Sequence, residues 1–160
     1  MNFVNKKVLI TGASRGIGKA TALAFAEKGA QVGINFRSNL EEAQKTRAEL
    51  PGDGHRLFQA DISEKANCQS LIDDFIEIFG QLDVLVNNAG ISIFHEIDQV
   101  DFNHWTNAWE NTFKTNLFAA ANMTYCAAQA MIKTGGGRIV NVSSRGAFRG
   151  EPTKPAYGAS

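Results

Sequence analysis

Short apolar runs alternate with amphipathic stretches along this chain. Lys7 to Thr11 (KVLIT) is an apolar run that ends in a glycine loop, and residues 16 to 28 (GIGKATALAFAEK) follow with Ala20, Leu23, Ala24 and Ala26 at helical spacing until Gly29 stops them. This predicts strand, tight turn, helix. The rhythm repeats with Gln31 to Phe36 as strand, Asn39 to Leu50 as helix ended by Pro51-Gly52, His55 to Gln59 as strand, and Glu64 to Phe79 as helix ended by Gly80. Val84 to Asn87 (VLVN) is continuously apolar, which predicts a strand covered on both faces. A long helical region runs from about Asp101 to Lys133, with Phe102, Trp105, Trp109, Phe113, Leu117 and Met123 at helical intervals, so that most of these aromatics are expected on its core face. Gly135-Gly136-Gly137 ends it, and Arg138 to Val142 (RIVNV) reads as a fifth strand.

Strands alternating with helices of this length imply an α/β fold, a doubly wound parallel sheet with right-handed crossovers of the Rossmann type. At 160 residues the chain has room for one domain over 1–160. No internal repeat, low-complexity stretch or linker interrupts it.

Composition narrows the function classes. Sixteen basic and sixteen acidic residues cancel without a basic block, so the electrostatic footprint of a nucleic-acid binder is missing. No apolar run approaches the roughly 18 residues of a membrane span, and Met1 to Lys7 leads into a strand rather than a signal-peptide pattern, so a cytoplasmic protein is expected. Cys68 and Cys126 each sit in a helical pattern and read as buried free thiols. His55, His95 and His104 show no ligand spacing, and no metal is assigned; surface or hydrogen-bonded histidine is the expectation.

The chemistry concentrates at the two ends. In Thr11-Gly12-Ala13-Ser14-Arg15-Gly16-Ile17-Gly18 a glycine-rich turn follows a strand and opens a helix. Free amides and the helix dipole favour negative charge there, and a pyrophosphate must approach the backbone closely, so Gly12, Gly16 and Gly18 supply room and the Ser14 hydroxyl can add a hydrogen bond.

With this loop, Asn87-Asn88-Ala89-Gly90 after the fourth strand, Asn116 in Lys114-Thr115-Asn116-Leu117, Ser144 after the fifth strand and Tyr157 thirteen residues later, the chain resembles the short-chain dehydrogenase/reductase family over its whole length. The glycine spacing resembles the family's single-domain branch, with 3-oxoacyl-[acyl-carrier-protein] reductase-like members. The resemblance implies a dinucleotide held by Gly12, Ser14, Arg15, Gly16, Ile17 and Gly18, with Asp61 and Ile62 at the adenine and Asn88, Ala89 and Gly90 beneath the ribose. Asp61 reads equally as a helix cap, and Asn87 or Asn88 as a tie between strands.

An acidic residue ending the second strand would repel the extra phosphate of NADP. Asn35-Phe36-Arg37-Ser38 has none, and Arg37 with Arg15 offers two guanidiniums to a 2′-phosphate, so NADP(H) is expected over NAD(H).

Carbonyl reduction needs a proton donor beside the nicotinamide, and Tyr157 matches the family's acid/base. Ser144 matches the serine that orients the substrate oxygen, with the adjacent Ser143 then expected to point to the other side of the chain. Asn116 matches the asparagine of a water-mediated proton relay, or else is a core amide bonded to a main-chain carbonyl. Ile91, Ser92 and Phe94 are candidates for a substrate wall. The resemblance implies an oxidoreductase acting on a small-molecule ketone or secondary alcohol, a homo-oligomer at full length.

The family pattern is Tyr-x-x-x-Lys, and the sequence stops at Ser160, one residue before the lysine. The expectation is therefore an N-terminal part of a longer reductase, with a sheet incomplete on its C-terminal side, an exposed fifth strand, and no helix around Tyr157. The alternative is a non-catalytic dinucleotide-binding fragment or regulatory homologue.

Overall fold

The structure, a computed structural model, describes residues 2–160. Five parallel strands, β1 (Lys7–Ile10), β2 (Gln31–Phe36), β3 (Arg56–Gln59), β4 (Val84–Asn87) and β5 (Arg138–Asn141), form one sheet in the order β3-β2-β1-β4-β5. The expected strands are all present, within a residue of their expected ends. The helices are α1 (Gly16–Ala26), α2 (Leu40–Glu49), α3 (Lys65–Phe79), α4 (Phe102–Phe113), α5 (Ala119–Lys133), α6 (Gly146–Arg149) and α7 (Pro155–Ala159), with a π-helical turn at Lys114–Phe118 between α4 and α5.

Side chains of a strand alternate between faces, and this sheet is apolar on both. Leu9 and Leu85 point to one side, where Leu71, Ile72 and Phe75 of α3 and Met123 and Ala127 of α5 close over them. Val8, Ile10, Val32, Ile34, Val84 and Val86 point to the other, against Ala22 and Ala26 of α1. Cys68 and Cys126 are free and buried between α3 and α5, and burial, helped by Cys126, pushes the Cys68 thiol up to about 11.

Three expectations need correction. In α1 the buried positions are Gly18, Ala22 and Ala26, and Ala20 and Ala24 are exposed. Alanine is small enough for either face, so its spacing alone does not reveal the buried side. The long helix is likewise not one continuous core face, because Phe102 and Leu117 are exposed, 77% and 42%. The π turn adds a residue to one turn and rotates everything after it by roughly 100°, so that α4 buries Ala108 and Thr112 while α5 buries Ala119, Met123, Cys126, Ala127 and Met131. Finally, a helical turn does form around Tyr157. Pro155 supplies a preset φ at its start, and bonds to residues far along the chain hold it.

β5 lies at the sheet edge beside β4, with Val140 46% and Val142 40% exposed and only Ile139 packed on the core. No helix among the described residues is long and apolar enough to cross a membrane.

Candidate functional site

In the order 3-2-1-4-5 the winding of the parallel strands reverses between β1 and β4, and a crevice opens at the carboxyl ends of these strands. The glycine turn lies there. Its three glycines have different tasks. A methyl group on Gly12, at φ +62°, would stand 2.9 Å from the Ala89 Cα, and one on Gly18 would stand 2.6 Å from the Asn88 Nδ2. Both let the turn press against the end of β4. Gly16, at φ +58°, faces open space, so the cradle at the start of α1 lies above it. No side chain caps the first amides of α1, and its first turn carries no acid. Uncapped amides, a positive dipole end and an open cradle fit a dinucleotide pyrophosphate.

The walls of the crevice are cross-linked. Thr11 Oγ1 accepts from the amides of Asn88 and Ala89, each at 3.0 Å, and Asn88 Nδ2 donates to the carbonyls of Thr11 at 2.9 Å and Gly12 at 3.2 Å. Asn88 thus ties β1 to β4 and leaves Ala89 and Gly90 lining the space beyond. Asn87 Nδ2 donates to Thr124 Oγ1 at 3.0 Å and Asn141 Oδ1 at 2.9 Å, joining β4 to α5 and β5. Thr124 and Asn141 carry no motif spacing and escaped the reading of the sequence.

A second depression, about 370 Å³, lies beyond β3 and is lined by Arg37, Gln59, Asp61, Asn67 and Asp74 among others. Asp61 Oδ1 accepts from the amide of Ser63 at 3.0 Å and its hydroxyl at 2.7 Å, so it closes a turn before α3, whose capping residue is Glu64. Ile62 is buried in the core beneath. Arg37 is exposed just past β2, and Arg15 is exposed as the residue preceding α1. Ser14 is held at the opposite side of its turn, its carbonyl accepting from Thr46 Oγ1 at 2.8 Å.

The main cavity, about 750 Å³, brings together what the sequence separates: Ile17, the Asn88–Ser92 segment, Asn116, Ser144 and Tyr157. Phe94 is exposed outside this lining. Ser143 and Ser144 both line the cavity. Ser144 Oγ accepts from the Gly146 amide at 3.3 Å. Asn116 sits in the π turn, a local form that often marks functional sites. Its Oδ1 accepts from the Ile91 amide at 2.8 Å, and its Nδ2 donates to the Ile91 carbonyl at 3.0 Å and to Ser160 Oγ at 2.9 Å. The main-chain bond weighed for this residue is therefore present.

His95 is the larger omission, since the sequence offered no more than a histidine among aromatics. It is fully buried, its ring set against Trp105 and Trp109, and it bonds to the segment that carries Tyr157. His55, also buried, accepts from the Val32 amide, whereas His104 is exposed and contacts the Phe94 carbonyl. Among the described residues no group of three or more His, Cys, Asp or Glu is placed to hold a metal ion.

A parallel 3-2-1-4-5 sheet, with a glycine turn opening α1 at its switch point, defines a Rossmann dinucleotide-binding fold. The profile of the short chain dehydrogenase family matches residues 6–160, and the chain belongs to that family. It is 40% identical over 155 residues to an L-rhamnose 1-dehydrogenase (NAD(P)(+)) of Sphingomonas sp., covering 95% of this chain and 59% of the relative. It is 34% identical over 159 residues to a 3-oxoacyl-[acyl-carrier-protein] reductase of Staphylococcus aureus, covering 98% of this chain and 63% of the relative. The crystal structure of an NAD+-bound xylitol dehydrogenase superposes with a TM-score of 0.90 at 29% identity, over 99% of this chain and 60% of that one. The chain thus spans about three-fifths of the length of the relatives it matches.

Proposed function

We propose that residues 1–160 are the dinucleotide-binding part of an NADP(H)-dependent oxidoreductase that interconverts a ketone and a secondary alcohol. The supporting observation is the single cavity shared by Asn116, Ser144 and Tyr157 with Ile17 and the Asn88–Gly90 segment beside the glycine turn. The dinucleotide, when bound, supplies or accepts the hydride. Gly12, Ser14, Gly16 and Gly18 would hold its pyrophosphate with Ile17 in the same turn, Arg15 and Arg37 its 2′-phosphate, Asp61 and Ile62 its adenine, and Asn88, Ala89 and Gly90 its ribose. Tyr157 protonates the developing alkoxide in reduction and takes the proton back in oxidation, and Ser144 orients the substrate oxygen. Asn116 stands in the relay that returns the proton to solvent. The same reading makes the enzyme a cytoplasmic homo-oligomer acting on a small molecule.

Oxidation of L-rhamnose and xylitol with NADP+ or NAD+, and reduction of a 3-oxoacyl thioester with NADPH, followed by nicotinamide absorbance in the protein that carries this chain, test the activity. Tyr157→Phe is expected to lower turnover by about 10² to 10⁴ while dinucleotide binding survives. Undiminished turnover in that variant would remove Tyr157 from the chemistry.

The NADP(H) preference rests on Arg15 and Arg37, with no carboxylate ending β2. Charged hydrogen bonds contribute roughly 1.5 to 3 kcal/mol each, so NADPH is expected to bind at least about tenfold tighter than NADH. The double change Arg15→Ala, Arg37→Ala should erase that gap and leave NADH binding nearly unchanged. Equal affinities in the parent protein, by fluorescence titration, would refute the assignment.

A further inference from the structure

We propose that His95 is a positioning residue that seats Tyr157, an inference that rests on the reading of Tyr157 as the acid/base. The tyrosine lies in α7, a helical turn of five residues from Pro155 to Ala159. So short a helix does not support itself, because its first turn orders several residues for one or two bonds. Its early amides also have no partner within the turn. Pro155 has no N–H, so the first amide to need one belongs to Ala156, the residue before Tyr157.

His95 provides that partner from 61 positions away. Its Nε2 accepts from the Ala156 amide at 3.1 Å. Because Nε2 is an acceptor there, the ring proton of neutral His95 is on Nδ1, which donates to the Ile93 carbonyl at 2.8 Å. The backbone of His95 makes a further bond, its amide donating to the Thr153 carbonyl at 3.0 Å. One residue therefore grips both the approach to α7 and its first free amide.

The grip is itself anchored. The ring is fully buried, edge-on to Trp105 at 5.4 Å and to Trp109 at 6.3 Å between centroids. Four residues earlier in the same loop, Ile91 is held to the π turn by both amide atoms of Asn116. Hydrogen bonds and a short stretch of backbone thus run from Asn116 through Ile91 and Ile93 to His95, and from His95 to the residue beside Tyr157. The wall of the cavity next to the glycine turn and the tyrosine on its other side are built against one another through this histidine.

Three substitutions separate seating from mere stability. His95→Phe keeps an aromatic ring between the tryptophans and removes both side-chain bonds. His95→Asn leaves Ala156 unpartnered, and His95→Gln returns an acceptor near the place of Nε2. In His95→Phe and His95→Asn, amide hydrogen exchange at Ala156 and Tyr157 should quicken by about tenfold, as loss of one hydrogen bond implies, with Leu9 and Leu85 unchanged. With NADP+ and L-rhamnose or xylitol, or with NADPH and the 3-oxoacyl thioester, kcat should fall by about 10²-fold, the scale of a misplaced reacting group, with NADPH affinity kept. His95→Gln should recover most of both losses. If His95→Phe fails to fold, the Asn and Gln pair decides alone. Unchanged exchange at Ala156 and Tyr157, equal acceleration at Leu9 and Leu85, or a Gln variant as impaired as the Asn variant would each overturn the inference. An active Tyr157→Phe would instead remove the acid/base reading, and the exchange data would still say whether His95 seats the turn.

Discussion

β1 and β5 are strands of the same length, KVLI and RIVN, each with a valine and an isoleucine, yet their valines meet different fates. β1 lies between β2 and β4, and Val8, Leu9 and Ile10 are fully buried. β5 has a neighbour on one side, and of its apolar residues only Ile139 reaches the core. Burial is therefore set by a strand's place in the sheet rather than by its composition. The difference extends to what each strand carries. The glycine turn follows the central strand and is clamped by Thr11 and Asn88. Ser144 and Tyr157 follow the edge strand; Ser144 is held by a local bond from the Gly146 amide, and the turn that carries Tyr157 receives bonds from His95 and Asn116.

Core truncation gives the largest expected contrast. Leu9→Ala should lower unfolding free energy by about 3 to 5 kcal/mol, and Val140→Ala, at a half-exposed position, by no more than about 0.5 kcal/mol. Urea denaturation measures both. Similar losses in the two variants would mean that β5 is as well packed as β1, and the comparison would fail.

The glycine turn sharpens the same contrast at a finer scale. Gly12 and Gly16 both have positive φ, which costs an alanine roughly 1 to 2 kcal/mol. Only at Gly12 does the added methyl also meet backbone, the Ala89 Cα at 2.9 Å. Gly12→Ala should therefore cost about 2 to 4 kcal/mol, the backbone strain plus overpacking, and Gly16→Ala the strain alone. Dinucleotide affinity should nevertheless fall in Gly16→Ala, because its methyl enters the open cradle. A Gly16→Ala protein that binds NADPH like its parent would place the pyrophosphate elsewhere.

The smallest effect lies at the opposite end of β1. Burial alone raises the pKa of Asp83, but bonds from Lys6 Nζ, the Lys7 amide and Gln81 outweigh it and hold the carboxyl below its ordinary value. A lowered folded pKa means stability that is present above the unfolded value, about 4, and is lost as pH falls through the folded one. Asp83→Asn should flatten the acid limb of a stability profile measured from pH about 6 downward. An acid limb identical to the parent's would show that Asp83 is not one of the groups that drive it.

Much of this was legible in the sequence, and the legible parts share a cause. The run VLVN, the glycine turn and the punctuation by Gly29, Pro51 and Gly80 act through local geometry, which a few neighbouring residues settle. The features that were not legible depend on distant partners. An alanine-rich helix conceals which face is buried, and the sheet beneath α1 picks out Ala22 and Ala26 while leaving Ala20 and Ala24 exposed. A π turn at Lys114–Phe118 leaves no composition signal, yet it turns Phe118 and Leu117 outward and puts Asn116 against Ile91. Five residues around Tyr157 are too few to form a helix unaided, and they do so here because a buried histidine supplies the missing acceptor.

By itself, then, the sequence determined the order and type of the strands and main helices, the glycine turn and the family, because periodicity and glycine placement are properties of adjacent residues. Only the tertiary structure decided which strand is buried, that Asn116 bonds to Ile91, and what the turn carrying Tyr157 is bonded to. Those outcomes come from contacts between segments as far apart as His95 and Ala156, whose energies appear only when the chain closes on itself.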